Sequence, residues 1–324
     1  MSDMNTKKSA IIPVVQSQPT EHNYHVLAQS HASNQLLRQM TLKVTDPSHL
    51  DIYGNAEIES TGFKLSIAGY TELANGINPS AAMLLDSLMI TATQEGFAST
   101  LIRLPLKEYM EWRGLNHIKE TRKQLKRDLD ALDRISFEYK GTGKQRNSWL
   151  KVSLSGGTSG QVRNGDIIYR FNQDFYDSFR AGVNNKYLYM YFPHEALNVN
   201  TRQNPHKYWL ARRIAEHKRM NLGKRNEDII GVRTLIEACP HLPTYDEVIS
   251  SRGKSVAQRI ITPFERDMGV FNQSFTWQYN NIDDAKDYKT FISATVKIIW
   301  NDYPDTTELQ AKKAKRAKKK PSAK

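Results

Sequence analysis

From Pro79 to Gln94 the apolar positions follow a helical period: Ala82, Leu85, Leu88, Met89 and Ala92 recur every three or four residues, and Asn78 or Ser80 can cap the start. The pattern then shortens. Leu101, Ile102 and Leu104 predict a strand. Pro105 opens a helix carrying Leu106, Tyr109 and Met110, because the N–H that proline lacks would be unpaired in a first turn anyway. Gly114-Leu-Asn116 predicts a turn, with Gly114 free to take positive φ. A second helix runs from about Ile118 to Asp133, with Ile118, Leu125, Leu129 and Leu132 on one face. Ile135-Ser-Phe137-Glu-Tyr139 alternates as a half-buried strand does. A polar loop from Gly141 to Ser148 and a returning strand from Trp149 to Leu154 complete a two-stranded ribbon.

A second block follows the glycine-rich break at Ser155–Gly160. It predicts a strand at Ile167–Phe171, a short helix with Phe175, Tyr176 and Phe179, and an aromatic run at Tyr187–Phe192. A long helix spans Pro205–Leu222, Ile229 and Ile230 precede a short helix at Val232–Ala238, and Pro240 and Pro243 make a turn. Two capping boxes, Thr244–Glu247 and Thr262–Glu265, leave two readings of what comes next. Either Thr244–Ser251 is a helix of its own, or it is a turn before a long helix from Lys254 that Pro263 kinks or restarts. In both, Val256, Ile260, Ile261, Phe264 and Met268 form the apolar face. A strand at Ser274–Tyr279, a polar loop at Asn280–Lys289 and a returning strand at Phe291–Trp300 end the block. Long helix, short helix, turn, basic helix and ribbon thus recur twice, with no sequence repeat behind them.

That order is the order of a winged-helix DNA-binding domain. The reading is an α+β fold of two tandem winged-helix domains, 46–160 and 161–303. A largely disordered N-terminal extension (1–45) precedes them and a basic disordered tail (304–324) follows. Within 1–45, Met1 to about Asn23 reads as disordered or loosely attached, and from Tyr24 to Lys43 the residues Leu36, Leu37, Met40 and Leu42 hint at a helix or strand packed on the first domain.

Charge sharpens the picture. Lys119, Arg122, Lys123, Lys126 and Arg127 lie on a face of the first basic helix away from its apolar stripe, and Lys144 and Arg146 sit in the loop of its ribbon. In the second block Arg252, Lys254, Gln258, Arg259 and Arg266 lie off the apolar face, and of this stretch Arg252, Lys254, Ser255, Gln258 and Arg259 are taken with the first set. A helix fits the major groove and a hairpin tip reaches flanking phosphates, so these are the candidate DNA-binding residues. A solvated face explains one basic helix equally well; the order of elements around it favours DNA. The chain of 324 residues suits two domains plus tails, and 46 basic against 34 acidic residues give +12. Eight of the basic residues fall between Ala311 and Lys324, and removing them from +12 leaves +4, so a DNA surface must come from local clustering. The lysine-rich tail reads as an arm adding non-specific phosphate attraction. One cysteine, Cys239, fits a reducing cytosol and excludes an internal disulfide or a cysteine-rich zinc site. No apolar run reaches membrane-span length, so no membrane partner is expected.

The stretch Thr100–Tyr109 with the basic helix and Ile135–Tyr139, and the stretch Val232–Ala238 with Arg259–Glu265 and the aromatic strand after it, together resemble the plasmid replication initiators built from tandem winged-helix domains. The resemblance spans roughly residues 80–300. It implies binding of double-stranded DNA at repeated origin sequences, opening of nearby A·T-rich DNA, recruitment of host helicase or initiator, and homodimerisation through the first domain away from the origin. It further implies that Val256–Asp267 reads the major groove while Lys119–Arg127 touches backbone or a neighbouring half-site. The long N-terminal segment and the lysine-rich tail depart from the simplest members and leave monomer versus dimer open. A winged-helix transcriptional repressor is the alternative.

Catalytic patterns are absent from the sequence. No His-x-His pair suits a nicking initiator, no His-x-x-Arg suits a tyrosine recombinase, and Gly253-Lys-Ser255 lacks the first glycine of a P-loop because Val248 stands there. Cys239-Pro-His241 offers two metal ligands where a site needs more. No cofactor and no enzymatic activity are expected. The aromatic residues Tyr187, Tyr189, Tyr191, Phe192 and Trp209 read as core in preference to stacking platforms for single strands.

Overall fold

The computed structural model describes residues 23–29, 31–40, 49–60, 63–73, 78–140, 149–157, 160–177, 189–200, 203–251, 255–282 and 287–304. In chain order these form β1 (Tyr24–Ala28), α1 (His31–Met40), β2 (Ala56–Ser60), β3 (Phe63–Ile67), α2 (Pro79–Gln94), β4 (Leu101–Pro105), α3 (Leu106–Arg113), α4 (Ile118–Asp133), β5 (Ile135–Lys140), β6 (Trp149–Ser153), β7 (Gln161–Arg163) and β8 (Asp166–Arg170). The second half adds β9 (Tyr189–Pro193), α5 (Lys207–Asn221), β10 (Ile229–Gly231), α6 (Val232–Ile236), α7 (Tyr245–Ser250), α8 (Thr262–Gly269), β11 (Phe275–Tyr279), α9 (Tyr288–Ser293) and β12 (Thr295–Trp300). The fold is α+β, and the helix–helix–ribbon order expected from the sequence occurs in both halves.

The centre of the molecule is α2. Asn78 caps it by accepting from the Ser80 N–H at 3.0 Å, and Pro79 occupies its first turn. Every residue from Ser80 to Ala92 is buried. A helix enclosed on all sides must be apolar on all sides, and α2 departs from that only where a buried partner is supplied. The main departure is Asp86, 1% exposed. Arg212 of α5 bonds its Oδ2, and the Tyr208 hydroxyl donates to the same oxygen at 2.6 Å. Arg212 also donates to Asn34 of α1 at 3.2 Å. Burial pushes the Asp86 carboxyl above its ordinary value, while the Arg212 charge and the Tyr208 hydroxyl pull it back. Nearby, Glu216 of α5 takes Arg38 at 2.6 Å and Arg213 at 2.9 Å.

Among the described residues, four antiparallel sheets pack with the helices. The largest runs β2–β3–β5–β6, with Leu65 opposite Phe137 and the Phe63 and Phe137 rings stacked at 5.5 Å. A second, β4–β8–β7, pairs Leu101 with Arg170 through to Pro105 with Asp166. This pairing moves the expected domain boundary. A boundary at residue 160 would cut β7 and β8 away from β4, whose backbone groups they satisfy, so the first unit extends through Arg170. The third sheet, β10–β12–β11, is the ribbon of the second half.

The fourth sheet corrects the reading of the N-terminus. Within the extension expected to be largely disordered, β1 pairs along its whole length with β9, and α1 follows it. Tyr24 explains why the segment is held. Its hydroxyl lies between the carbonyls of Ser274 and Asn301, and its ring meets Trp300 and Tyr303 at centroid distances of 6.1 and 5.5 Å. The remainder of that extension outside 23–29 and 31–40, and the tail from 305 to 324, lie outside the described residues.

Both readings of the segment after Thr244 hold in part. Thr244 and Glu247 form a reciprocal capping box and start α7 as its own helix. A second helical stretch then begins at Val256, and its first turns are a π-helix over Ala257–Ile261 that leads directly into α8. Pro263 supplies the cause. Its ring would collide with the Arg259 carbonyl in a regular α-helix, and widening the preceding turn relieves the clash. The Thr262 N–H correspondingly reaches back five residues to the Ala257 carbonyl. The loop expected over Asn280–Lys289 is shorter, and Phe291 lies in α9, not in the returning strand. Asp287 caps that helix through the Thr290 N–H at 3.0 Å.

Of the aromatic residues expected in the core, Phe192 is fully buried and Trp209 is 4% exposed, Tyr189 and Tyr191 are half-buried, and Tyr187 lies outside the described residues. Cys239 is buried too, with its thiol donating to the Leu235 carbonyl at 3.4 Å, and burial raises its pKa.

Removing Asp86 alone should leave Arg212 buried and unpaired, so Asp86→Ala should destabilise the chain by about 3–5 kcal/mol in urea melts followed by circular dichroism. The double variant Asp86→Leu with Arg212→Met should recover most of that loss. A single variant within about 1 kcal/mol of wild type would show that the pair does not hold the two helices together.

Candidate nucleic-acid interface

The first helix-turn-helix is α3–α4. Its turn is a Schellman arrangement: the Gly114 N–H bonds the Glu111 carbonyl at 3.1 Å and the Leu115 N–H bonds the Met110 carbonyl at 2.9 Å. Gly114 sits in the left-handed region at φ 60°, where a side chain is strained, and a Cβ there would meet the Asn198 side-chain amide 2.5–2.8 Å away and push it aside. The helix that follows divides cleanly. Thr121, Leu125, Asp128, Leu129 and Leu132 face inward and are buried. Ile118, expected on that apolar face, is 52% exposed at the helix start. Lys119, Arg122, Lys123, Lys126 and Arg127 are all exposed, and their spacing of three, four, seven and eight residues places them on one stripe. Among the described residues none of the five is in an ion pair. The stripe is therefore a row of free cations about two and a half helical turns long, on a helix of the width a major groove accepts.

The second helix-turn-helix has a different chemistry. Ser255 serves as a cap, its hydroxyl accepting from the Gln258 N–H at 3.2 Å. Gln258 is exposed. Arg259 is half-buried, and its guanidinium donates to the Ser251 hydroxyl at the end of α7. It is thus partly engaged inside the protein. Thr262 and Arg266, both within the stretch Val256–Asp267 that the resemblance assigns to the major groove, are exposed at four and eight residues from Gln258. Lys144, Arg146, Arg252 and Lys254 lie outside the described residues. The structure thus brings five of the candidates together on α4, and Ser255, Gln258 and Arg259 on the turn leading into α8.

Electrostatics inside the two helices are carried by carboxylates. Asp128 of α4 is 1% exposed and Asp267 of α8 is fully buried. Ser80 Oγ donates to Asp128 at 2.7 Å, with Gln124 donating at 2.9 Å. The His206 N–H donates to Asp267 at 2.7 Å, as does Arg266 Nε at 2.7 Å. Burial raises the Asp128 carboxyl, offset by the bonds from Ser80 and Gln124. Burial holds His206 down to about 4, against the pull of Asp267, so its ring is neutral at pH 7. No helix among the described residues is long and apolar enough to cross a membrane.

Comparisons with known proteins complete the description. No family model matches the chain. No curated protein matches it by sequence. Among solved structures, a selenomethionine derivative of domains 2 and 3 of RctB is similar at 12% identity and a TM-score of 0.52, covering 82% of this chain and 98% of that one. A second RctB domain 2–3 structure (11% identity, TM-score 0.43) covers 82% of this chain and 97% of its own. The Pi initiator protein in complex with iteron DNA (8% identity, TM-score 0.43) matches over 76% of this chain and all of that one. At such identities the likeness concerns the fold, and the chain shares the fold of domains 2 and 3 of RctB.

Proposed function

We propose that this chain binds double-stranded DNA sequence-specifically at a replication origin, and thereby initiates plasmid replication by promoting opening of adjacent DNA and recruiting host replication proteins. The observation that carries the reading is the α4 stripe, five exposed and unpaired cations on the outer face of a helix-turn-helix. Such a row attracts phosphates, and its affinity is independent of sequence. The second unit supplies a smaller, less charged surface, where Gln258 suits the paired donor and acceptor of an adenine edge. The role is that of a cytoplasmic binding protein without a catalytic step.

An initiator is favoured over a repressor by two considerations. The stretches Thr100–Tyr109 and Val232–Ala238 resemble plasmid initiators. In addition, two unlike reading helices in one chain suit an asymmetric site repeated head to tail. A palindrome instead demands two copies of one reading surface about a two-fold axis. Footprinting on the parent replicon distinguishes them: protection of directly repeated sites supports the initiator, and a single protected palindrome at a promoter supports the repressor.

Lys123→Ala and Arg127→Ala should each weaken binding on every duplex and reduce the slope of log affinity against log salt by about 1. Unchanged slopes in both would remove α4 from the interface. Gln258→Ala should cost about 1–3 kcal/mol on the preferred duplex while leaving the salt slope unchanged. An equal loss on scrambled DNA would show that Gln258 does not read bases.

A further inference from the structure

We infer that Asp128 and Asp267 are a repeated pair of positioning residues: each is a buried carboxylate on the groove-facing helix of its unit, bonded to the N-terminus of that unit's long scaffold helix, and each sets the height and rotation at which the helix meets DNA. The inference rests on the DNA-binding reading above and goes beyond it.

The two residues occupy one structural position. They lie 139 places apart in the chain, and the same offset superposes the buried residues around them. Thr121 falls on Ile260, Leu125 on Phe264, Leu129 on Met268 and Leu132 on Phe271, all eight buried. Three of the five exposed cations of α4 fall on exposed residues, Lys119 on Gln258, Lys123 on Thr262 and Arg127 on Arg266, while Arg122 falls on buried Ile261 and Lys126 on half-buried Glu265. Their donors are equivalent in place but not in kind. Ser80, in the first turn of α2, offers a hydroxyl, and His206, the residue before α5, offers its backbone N–H.

An apolar side chain at either position would pack without the cost of burying a charge, and such replacements are often neutral or stabilising. Stability alone therefore gives no reason for two buried aspartates. Orientation does. Apolar contacts are non-directional and tolerate a helix that slides or rolls. A charge-assisted hydrogen bond about 2.7 Å long tolerates far less. Groups that recognise a ligand must be held to roughly 0.5 Å and 10–20°, which is the tolerance such a bond imposes. The carboxylate also sits where the positive end of the scaffold helix favours negative charge.

The test uses the full-length chain, a duplex enriched by the wild-type protein from a random-sequence pool, and a scrambled duplex of equal length and composition. Asp267→Ala removes the acceptor and Asp267→Asn keeps one. Ser80→Ala removes the donor that α2 offers to Asp128, leaving that of Gln124 within α4, without changing charge. Asp267→Ala and Ser80→Ala should lose about tenfold on the enriched duplex, the equivalent of one charge-assisted hydrogen bond. On the scrambled duplex Ser80→Ala, which leaves the charge unchanged, should stay within about twofold, and Asp267→Ala, which removes a negative charge and releases Arg266, should bind no more weakly than the wild type. Asp267→Asn should recover part of the loss. Should Asp267→Ala fail to fold by circular dichroism, the Asn variant and Ser80→Ala decide the matter at a temperature where both are folded. Equal losses on the two duplexes, or no loss on either, overturn the positioning role while leaving DNA binding intact. Failure of the wild type to enrich any duplex overturns both.

Discussion

A carboxylate removed from water is tolerable only beside an opposite charge or a full set of donors, and in this protein that constraint acts at the centre of α2. Asp86 is enclosed on all sides, and its partners, Arg212 and Tyr208, come from α5, some 120 residues later in the chain. Sliding one helix past the other would strand Arg212, itself buried, without a counter-charge. Since α2 belongs to the first helix-turn-helix unit and α5 to the second, the bond joins the two halves. β1 makes a second tie. It pairs with β9, packs against α2, and is fastened by Tyr24 to the backbone beside β11 and β12.

From that junction the rest of the scaffold follows by contact. Each long helix presents its N-terminus to a buried aspartate on the helix outside it, α2 to α4 through Ser80 and α5 to α8 through His206. The inner face of each outer helix is thereby satisfied, and only then is its outer face free to carry unpaired charge. The division is clearest in α4. Its buried Thr121 hydroxyl and Asp128 Oδ1 have protein partners at hydrogen-bond distance, while its five cations are in no ion pair among the described residues.

Much of this was legible in the sequence because it is local. The periodicity of Ala82, Leu85, Leu88 and Met89 located α2, Pro105 and Gly114 bracketed α3, and alternation at Ile135–Tyr139 located β5. What was missed is pairing between distant segments, which no local pattern encodes. Tyr24–Ala28 looks unremarkable until β9 supplies its partner, and Asp166–Arg170 looks like the start of a new unit until it is seen along β4. α9 was missed because Phe291-Ile-Ser alternates like the strand after it, and the competing signal is the cap at Asp287 and Thr290. The repeat itself was invisible for a physical reason. Core positions tolerate exchange of one apolar residue for another, so Leu125 and Leu129 in one unit became Phe264 and Met268 in the other. Only the aspartate, whose bond no apolar residue can replace, and the adjacent Arg127 and Arg266 remain alike.

Once the two outer helices are aligned through those aspartates, their difference becomes interpretable. At three matched exposed positions α4 carries Lys119, Lys123 and Arg127 where the second unit carries Gln258, Thr262 and Arg266. Arg266 already spends one donor on Asp267, and Arg259 one on Ser251. One surface is therefore dominated by long cationic side chains, and the other by shorter polar groups whose hydrogen-bond directions are defined. Ionic attraction to a duplex scales with phosphates neutralised and carries no sequence information, whereas directional polar contacts to base edges carry nearly all of it. If the two units divided the work the other way, the cations of α4 would have to discriminate bases with flexible lysines, and the sparse polar set beside α8 would have to hold phosphates against salt. The composition of the two stripes makes the first division physically cheaper than the second.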